Sequence, residues 1–173
     1  MILLFHGTTM EISEPLVGVG RKKVDFGQGF YLTRLKRQAS LWAETMAERR
    51  VSGMPVLNEY SFDIDLAREL AGVRYKVFAT YDLEWLDYVI DCRRGGKMQR
   101  QYDVVEGGVA NDKVIDTVED YEKGVITAEQ ALGQLAYKKV NHQIAILSQS
   151  LVDKCLKFKG SVVLALQGGR NAR

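Results

Sequence analysis

The stretch 25–33, Asp-Phe-Gly-Gln-Gly-Phe-Tyr-Leu-Thr, constrains the fold of this chain more than any other part of the sequence. Its two glycines, Gly27 and Gly29, allow the backbone to bend sharply or to approach a flat group closely. The Phe-Tyr-Leu run that follows them is typical of a strand. The stretch is therefore either a glycine-containing turn that enters a buried strand, or a segment that presents an aromatic ring beside open backbone.

Size and composition favour one ordinary globular domain. The chain has 173 residues, of which 46% are hydrophobic and 27% charged, and its net charge is +2. Such a chain can bury a core without a metal or a disulfide. We expect a single domain over residues 1–167 and a flexible C-terminal tail over 168–173.

Several classes of protein are disfavoured by the composition. No apolar run approaches the length of a membrane span, and the first apolar run stops at His6 without a basic leader or a cleavage site. Cys92 and Cys155 lack metal-ligand spacing, and two histidines are too few for an ordinary zinc site. We therefore expect a cytoplasmic protein with reduced thiols, no metal and no membrane partner.

The hydrophobic pattern predicts an α+β domain rather than a regular βαβ array. Strands are predicted at both ends of the chain and helices between them. The predicted strands cover 2–6, 30–32, 56–64, 72–79, 102–105, 143–147 and 161–166. The predicted helices begin at Thr33, at Thr80 or Asp82, at Asn111 or Asp112, at Thr127 and at Ser150. Thr127 and Gln130 have the spacing of a capping box, and Gly95 is placed to end a helix.

Three candidate site residues lie outside the glycine stretch. His6 follows the first predicted strand, Trp42 lies 11 residues after Tyr31, and Gln143 opens a late strand. Each has an ordinary structural alternative, because a histidine after a strand can be a satisfied core residue and a tryptophan on an apolar helix face can be core. Taken singly, each of these residues is a weak signal of function.

These residues resemble the ADP-ribosyltransferase fold, in the His-Tyr-Glu branch that includes diphtheria-type toxins and poly(ADP-ribose) polymerases. The first strand is similar to the branch's His-Gly-Thr/Ser motif, and 27–32 is similar to its Gly-Lys-Gly-Ile-Tyr-Phe motif. The position of Trp42 matches a second aromatic of that branch. The opening half resembles most closely a group of small uncharacterised bacterial proteins with an Asp-Phe-Gly-x-Gly-Phe-Tyr-Leu-Thr motif.

The resemblance implies a split pair of small sheets, with peripheral helices, that holds NAD in a cleft. Tyr31 and Trp42 would sandwich the flat, cationic nicotinamide. Gly7 would pair with the carboxamide through its backbone, and His6 would bond the adenosine ribose. The other expected cofactor contacts are Gly29 and Phe30 beside the dinucleotide, and Thr8 or the basic loop of Arg21, Lys22 and Lys23 at ribose or pyrophosphate.

The third member of the implied triad departs from the family. The branch places a Glu where this chain has Gln143, at the head of a late strand. A Gln amide can hold the nicotinamide-ribose hydroxyl, but it cannot supply negative charge or take a proton. Glu106 is a substitute carboxylate that the sequence leaves open, beside the ordinary interpretation of a solvated strand end.

The resemblance implies an NAD-dependent mono-ADP-ribosyltransferase with a toxin-like role, acting on an unknown macromolecular acceptor, either protein or nucleic acid. Two alternatives stay open at this point: a catalytically silent NAD or ADP-ribose binding module, which Gln143 favours, and an NAD glycohydrolase. An antitoxin or regulator protein is a further expected partner. A second basic cluster around Gly95 is either a solvated loop or a phosphate contact; it comprises Arg93, Arg94, Lys97 and Arg100.

Overall fold

The protein is a mixed α+β molecule, as the sequence predicts, and its strands form two sheets. The structure is a computed structural model, and it describes residues 1–49, 53–110, 114–136, 138 and 141–165. The first sheet is antiparallel, and its order is β1 (Ile2–Thr8), β3 (Val56–Phe62) and β7 (Leu156–Val163). The second sheet has the order β2 (Phe30–Leu32), β6 (Gln143–Ile146), β5 (Val104–Gly107) and β4 (Tyr75–Val77). Only the β4–β5 pair of the second sheet is parallel.

Six α-helices are present in the part of the chain that the structure describes. They are α1 (Lys36–Glu48), α2 (Ile64–Glu69), α3 (Leu83–Arg94), α4 (Ile115–Glu122), α5 (Ala128–Leu135) and α6 (Gln149–Cys155). Among those residues, none of the helices combines the length and apolarity needed to cross a bilayer.

The core is divided by the second sheet. Ile144 and Ile146 of β6 point into one buried cluster, which they share with the first sheet, α2 and α6. Ala145 lies between them and points to the other face, into a cluster that includes Trp85 and α3 to α5. This division follows from the period-two alternation of side chains along a strand.

The two sheets meet at one bridge between β1 and the end of β2. Phe5 and Thr33 exchange backbone hydrogen bonds of 2.8 and 2.9 Å. β1 and β2 are otherwise separate, because each pairs with a different strand, β3 and β6. The strands thus diverge on either side of this bridge, where His6 and Tyr31 lie.

Several predicted helix ends are confirmed. Asp82 accepts a hydrogen bond from the Trp85 amide at the start of α3, and Gly95 ends that helix with φ +80°. Thr127 and Gln130 form the reciprocal capping box that their spacing predicts. These ends were predictable because each depends on residues close in sequence.

Other elements differ from the sequence prediction. β1 continues through Gly7 and Thr8, which pair with β3, so the predicted end of the strand at His6 is wrong by two residues. Thr33 does not cap α1, which begins at Lys36, because the Thr33 backbone is paired with Phe5. The helix α2 was not predicted; Asp63 caps it where the sequence pattern continued a strand.

The last strand and the first helix also depart from prediction. β7 begins at Leu156, five residues before the predicted start, because Leu156 pairs with Phe62. On α1, an alanine stripe of Ala39, Ala43 and Ala47 is buried, whereas Trp42 is 42% exposed. β7 ends at Val163, three residues before the predicted end of the last strand. The predicted caps Asn111 and Asp112 and the tail over 168–173 lie outside the described residues.

Candidate functional site

His6, Tyr31 and Gln143 come together near the bridge between the two sheets. Tyr31 lies directly opposite Ala145, and Gln143 is two residues before Ala145 on β6. Tyr31 and Gln143 therefore share one face of the second sheet, with Cα atoms about 7–8 Å apart for such a diagonal pair. The side chain of His6 reaches the same place from β1, where its Nδ1 lies 2.7 Å from the Tyr31 carbonyl oxygen.

The face that carries Tyr31 and Gln143 continues onto the first sheet. Thr33 points to the same side as Tyr31, and the bridge sets Phe5 directly opposite Thr33. Gly7 is two residues beyond Phe5 and has the same orientation. We call this common side of the two sheets, defined by Gly7, Tyr31 and Gln143, the shared face; α1 covers it at Gly7.

Gly7 leaves its peptide groups on the open edge of β1. The amide and carbonyl of Phe5 point away from β3 toward Thr33, so those of Gly7, two residues on, point the same way. No hydrogen bond to them is found among the described residues. A Cβ at Gly7 would lie 1.9 Å from the Ala39 carbonyl oxygen, so the missing side chain also allows α1 to pack closely on β1.

The Tyr31 ring is fixed by its hydroxyl. That hydroxyl donates to the Gly27 carbonyl at 2.5 Å and accepts from the Phe26 amide at 3.2 Å. Burial, and to a lesser extent the charge of Asp25, raise the pKa of Tyr31 well above its ordinary value. The hydroxyl is therefore a protonated anchor, and the half-buried ring packs against the cluster that includes Trp85 and Ala145.

His6 is held in a single tautomer. A carbonyl oxygen only accepts, so Nδ1 donates its proton to Tyr31 and Nε2 carries a free lone pair. Burial lowers the pKa of His6, and the bond to Tyr31 offsets part of that change. The ring stacks on Phe30 with centroids 4.7 Å apart. The result is a neutral imidazole whose Nε2 can accept from a hydroxyl.

Phe30, Gly29 and Thr8 are placed by packing. The Phe30 ring is buried in the core behind His6, with an edge contact to Tyr60. Gly29 is buried against β6, where a Cβ would lie 2.9 Å from the Ile146 carbonyl oxygen. Thr8 ends β1 opposite Val56 and is half-buried.

Trp42 and Arg21 lie at the borders of the site. Gln38 donates from α1 to the His142 carbonyl at 2.9 Å, and Trp42 lies one turn further along the same side of the helix. Trp42 is exposed, with the Arg49 guanidinium 5.9 Å from its ring centroid. Arg21 is exposed in the loop before Asp25, and its charge acts on both Asp25 and Tyr31.

Glu106 lies on the opposite face of the second sheet from Gln143. It pairs with Ile144, the neighbour of Gln143, so its side chain points the other way. Its carboxylate accepts from Arg34 at 3.0 Å, from Tyr75 at 2.8 Å and from His142 Nε2 at 2.8 Å. Burial alone would raise the pKa of Glu106, but these donors lower it to about 2.

This carboxylate network was missed by the sequence interpretation, which left Glu106 as a substitute for the family's Glu. All of its donors are protein groups, so it supports the start of β6 from the back. Its residues come from four separate segments, and no periodicity links them. The only local signals were the positions of Arg34, just after the glycine stretch, and of His142, just before Gln143.

Gln143 itself is half-buried and makes no side-chain hydrogen bond to another described residue. Its amide is thus available as both donor and acceptor on the shared face. No group of residues suited to a metal ion is found in the described ranges, and Cys92 and Cys155 are free, buried thiols. The chemistry offered here is hydrogen bonding and ring stacking.

The chain belongs to the DUF3990 family, described as proteins of unknown function, whose model matches residues 2–158. No curated protein and no solved structure matches the chain.

Proposed function

We propose that the protein has an ADP-ribosyltransferase-like fold and binds NAD on the shared face, as an NAD-dependent mono-ADP-ribosyltransferase. The observation that carries the proposal is the common orientation of Gly7, Tyr31 and Gln143 beside a His6 whose tautomer is fixed. These groups lie far apart in sequence, yet the registers of two different sheets align them.

Each free group suits one part of NAD. The open amide and carbonyl of Gly7 form a donor and acceptor pair, which complements a primary carboxamide. The Tyr31 ring offers a flat face to nicotinamide, and Trp42 could cover the other side of it. Nε2 of His6 accepts from a ribose hydroxyl, and the Gln143 amide can hold another.

The proposed reaction breaks the bond between ribose C1′ and the nicotinamide nitrogen. The bonding electron pair leaves with nicotinamide, which becomes neutral, and positive charge develops on the ribose. The acceptor nucleophile forms the new bond to C1′ and releases its proton to solvent. Gln143 orients the ribose without adding negative charge, so we expect slow transfer of a single ADP-ribose unit.

A silent NAD-binding module is the second candidate, and a specific observation favours it. The shared face carries an amide at Gln143, and the nearby Glu106 carboxylate faces the other way with its donors in place. No described carboxylate therefore replaces the missing charge from that strand. A measurement of nicotinamide release distinguishes the two candidates, because the transferase releases nicotinamide and the silent module does not.

The test combines calorimetry of NAD binding with chromatography of the products. We expect NAD to bind to the wild type. Tyr31→Ala should weaken that binding about tenfold or more, whereas Tyr31→Phe should largely keep it. We also expect slow nicotinamide release, which Gln143→Glu should accelerate. Gln134→Glu, an exposed change of the same charge, is the control and should leave release unchanged. Binding without release would favour the silent module, and free ADP-ribose as the sole product a glycohydrolase. Absence of NAD binding would overturn the proposal.

A further inference from the structure

Two basic segments that are distant in sequence lie side by side in the fold. The loop 21–28 lies along the end of α3 and the short turn at Met98–Gln101. The Lys23 side chain comes within 3.5 Å of the position that a Cβ on Gly95 would occupy. The amide of Gln28 donates to Gln99 Oε1 at 3.1 Å. The fold thus merges two clusters that looked independent in the sequence.

The area where the two segments meet is dominated by exposed cations, and these cations form no ion pair with any described residue. We call it the basic surface, and it comprises Arg21, Lys22, Lys23, Lys97 and Arg100. The whole chain has a net charge of only +2, so these five cations in one area give this part of the surface a local excess of positive charge. An uncompensated patch of this kind produces a local positive potential.

The acidic side chains beside this surface are already engaged. Asp25 binds Arg93 at 2.7 Å, Glu122 binds Arg94 at 2.8 Å, and the Asp103 carboxylate binds Arg74 at 3.0 Å. Asp91 turns inward and accepts from the Met98 amide at 2.7 Å. These acids are paired with other donors, so the potential of the basic surface is not cancelled locally.

The basic surface adjoins the shared face. The loop that carries Arg21 to Lys23 continues into Gly27, whose carbonyl binds the Tyr31 hydroxyl. Arg21 is close enough to Tyr31 for its charge to lower the pKa of that hydroxyl, against the larger opposing effect of burial. A polymer bound along these cations would pass next to the Tyr31 ring.

We propose that the basic surface binds the phosphodiester backbone of a nucleic acid, which thereby becomes the ADP-ribose acceptor. A dinucleotide offers one pyrophosphate, whereas five cations on two segments suit a repeated charge. The acceptor role rests on the proposed function, but the binding does not. DNA and RNA share this backbone, and the experiment distinguishes them.

The test measures fluorescence anisotropy of oligonucleotides of about 20 nucleotides, as single-stranded DNA, single-stranded RNA and duplex DNA. With up to five phosphate contacts, we expect the logarithm of the binding constant for single strands to fall with the logarithm of salt at a slope of about −3. Lys97→Glu with Arg100→Glu should weaken binding at least about tenfold and flatten that slope. The matched control is Lys157→Glu with Lys159→Glu, on the exposed edge strand β7.

The outcomes separate this proposal from the proposed function. Nicotinamide release without any oligonucleotide should be unchanged in the Lys97→Glu, Arg100→Glu variant. With NAD present, the wild type should add ADP-ribose mass to the strand that binds best.

Equal weakening by both double variants, or no oligonucleotide binding, would overturn the proposal even if nicotinamide is released. Loss of oligonucleotide binding in Lys22→Glu with Lys23→Glu, but not in Lys97→Glu with Arg100→Glu, would also overturn it, because the two segments would then not form one binding surface. Binding without any nicotinamide release would refute the proposed function and leave the surface assigned.

Discussion

Two carboxylates, Asp25 and Glu106, support the two sides of the shared face, but the fold shifts their pKa values in opposite directions. Asp25 belongs to the loop that anchors Tyr31, and Glu106 binds His142, the neighbour of Gln143. Their side chains are almost equally covered, with 10% and 12% exposure. Burial raises the pKa of Asp25, whereas the pKa of Glu106 falls to about 2.

Burial and the number of donors both contribute to this difference, since Asp25 is a buried residue with fewer donors and Glu106 is a half-buried residue with more. Asp25 accepts from one guanidinium, that of Arg93, and from the Ala110 amide at 2.9 Å, which counter only part of the desolvation. Glu106 accepts from three side chains, and the charge of Arg34 adds to their effect. Two ion pairs that look alike by distance therefore make different contributions to stability.

The largest expected effect is on the network around Glu106. A pKa shift from an ordinary 4.5 to about 2 corresponds to about 3 kcal/mol of stability at pH 7. We expect Glu106→Gln to lower the free energy of unfolding by about that amount, measured by urea denaturation. The control is Glu84→Gln, which removes an exposed partner of Lys76 and should cost less than about 1 kcal/mol. Equal losses in both variants would contradict the assignment.

The same network predicts a pH dependence. Because the folded pKa of Glu106 is lowered, its contribution is complete above the unfolded value of 4.5 and is lost as the pH falls toward 2. The difference in unfolding free energy between wild type and Glu106→Gln should therefore shrink across that range. Denaturation curves at several pH values test this expectation, and a constant difference would show that the carboxylate is not held ionised.

A smaller effect on stability is expected at Asp25. Its folded pKa is raised, so its ionised form gains no stability from folding, and Asp25→Asn should change the unfolding free energy by less than about 1 kcal/mol. Arg93→Met leaves the buried carboxylate without its cation and should cost about 2 kcal/mol at pH 7. That cost should diminish as the pH falls and Asp25 takes up a proton. If Asp25→Asn proves the more damaging change, the comparison is wrong.

The contrast also shows which parts of the molecule the sequence could predict. The α+β class, the capping box at Thr127 and the αL glycine after α3 depend on neighbours in sequence, and they were predicted correctly. The glycine stretch and the head of β6 were recognised as places of interest from residue type and order. Their alignment on one face depends on strand register and on the Phe5–Thr33 bridge, which periodicity does not encode.

The residues that support the site could not be predicted from the sequence, for a related reason. Asp25 and Arg93 are 68 residues apart, and Glu106 and His142 are 36 apart. A charged residue in a strand or loop is usually solvated, so each of these looked ordinary by itself. Likewise, the length of β1 was underestimated, because Gly7 is typical of a turn until the close approach of α1 is known.

The smallest expected effect connects the comparison to the proposed function. If Asp25 positions Tyr31 and Glu106 positions Gln143, the two should affect different steps. Asp25→Asn loosens the loop that fixes the Tyr31 hydroxyl, so it should raise the dissociation constant of NAD about threefold, or about 0.7 kcal/mol. Glu106→Gln disturbs the start of β6, so it should slow nicotinamide release about threefold and leave NAD binding within about twofold.

Calorimetry and single-turnover release separate these two steps, since one measures binding and the other measures chemistry. Both variants must first be shown to be folded at the assay temperature, because a partly unfolded protein would lose both properties together. Tyr75→Phe removes one donor to Glu106 and keeps its charge, so it should give a weaker form of the same slowing. If instead Asp25→Asn and Glu106→Gln alter binding and release in the same proportion, the two carboxylates act only through general stability. The division of the shared face into a ring-binding side and a ribose-orienting side would then be unsupported.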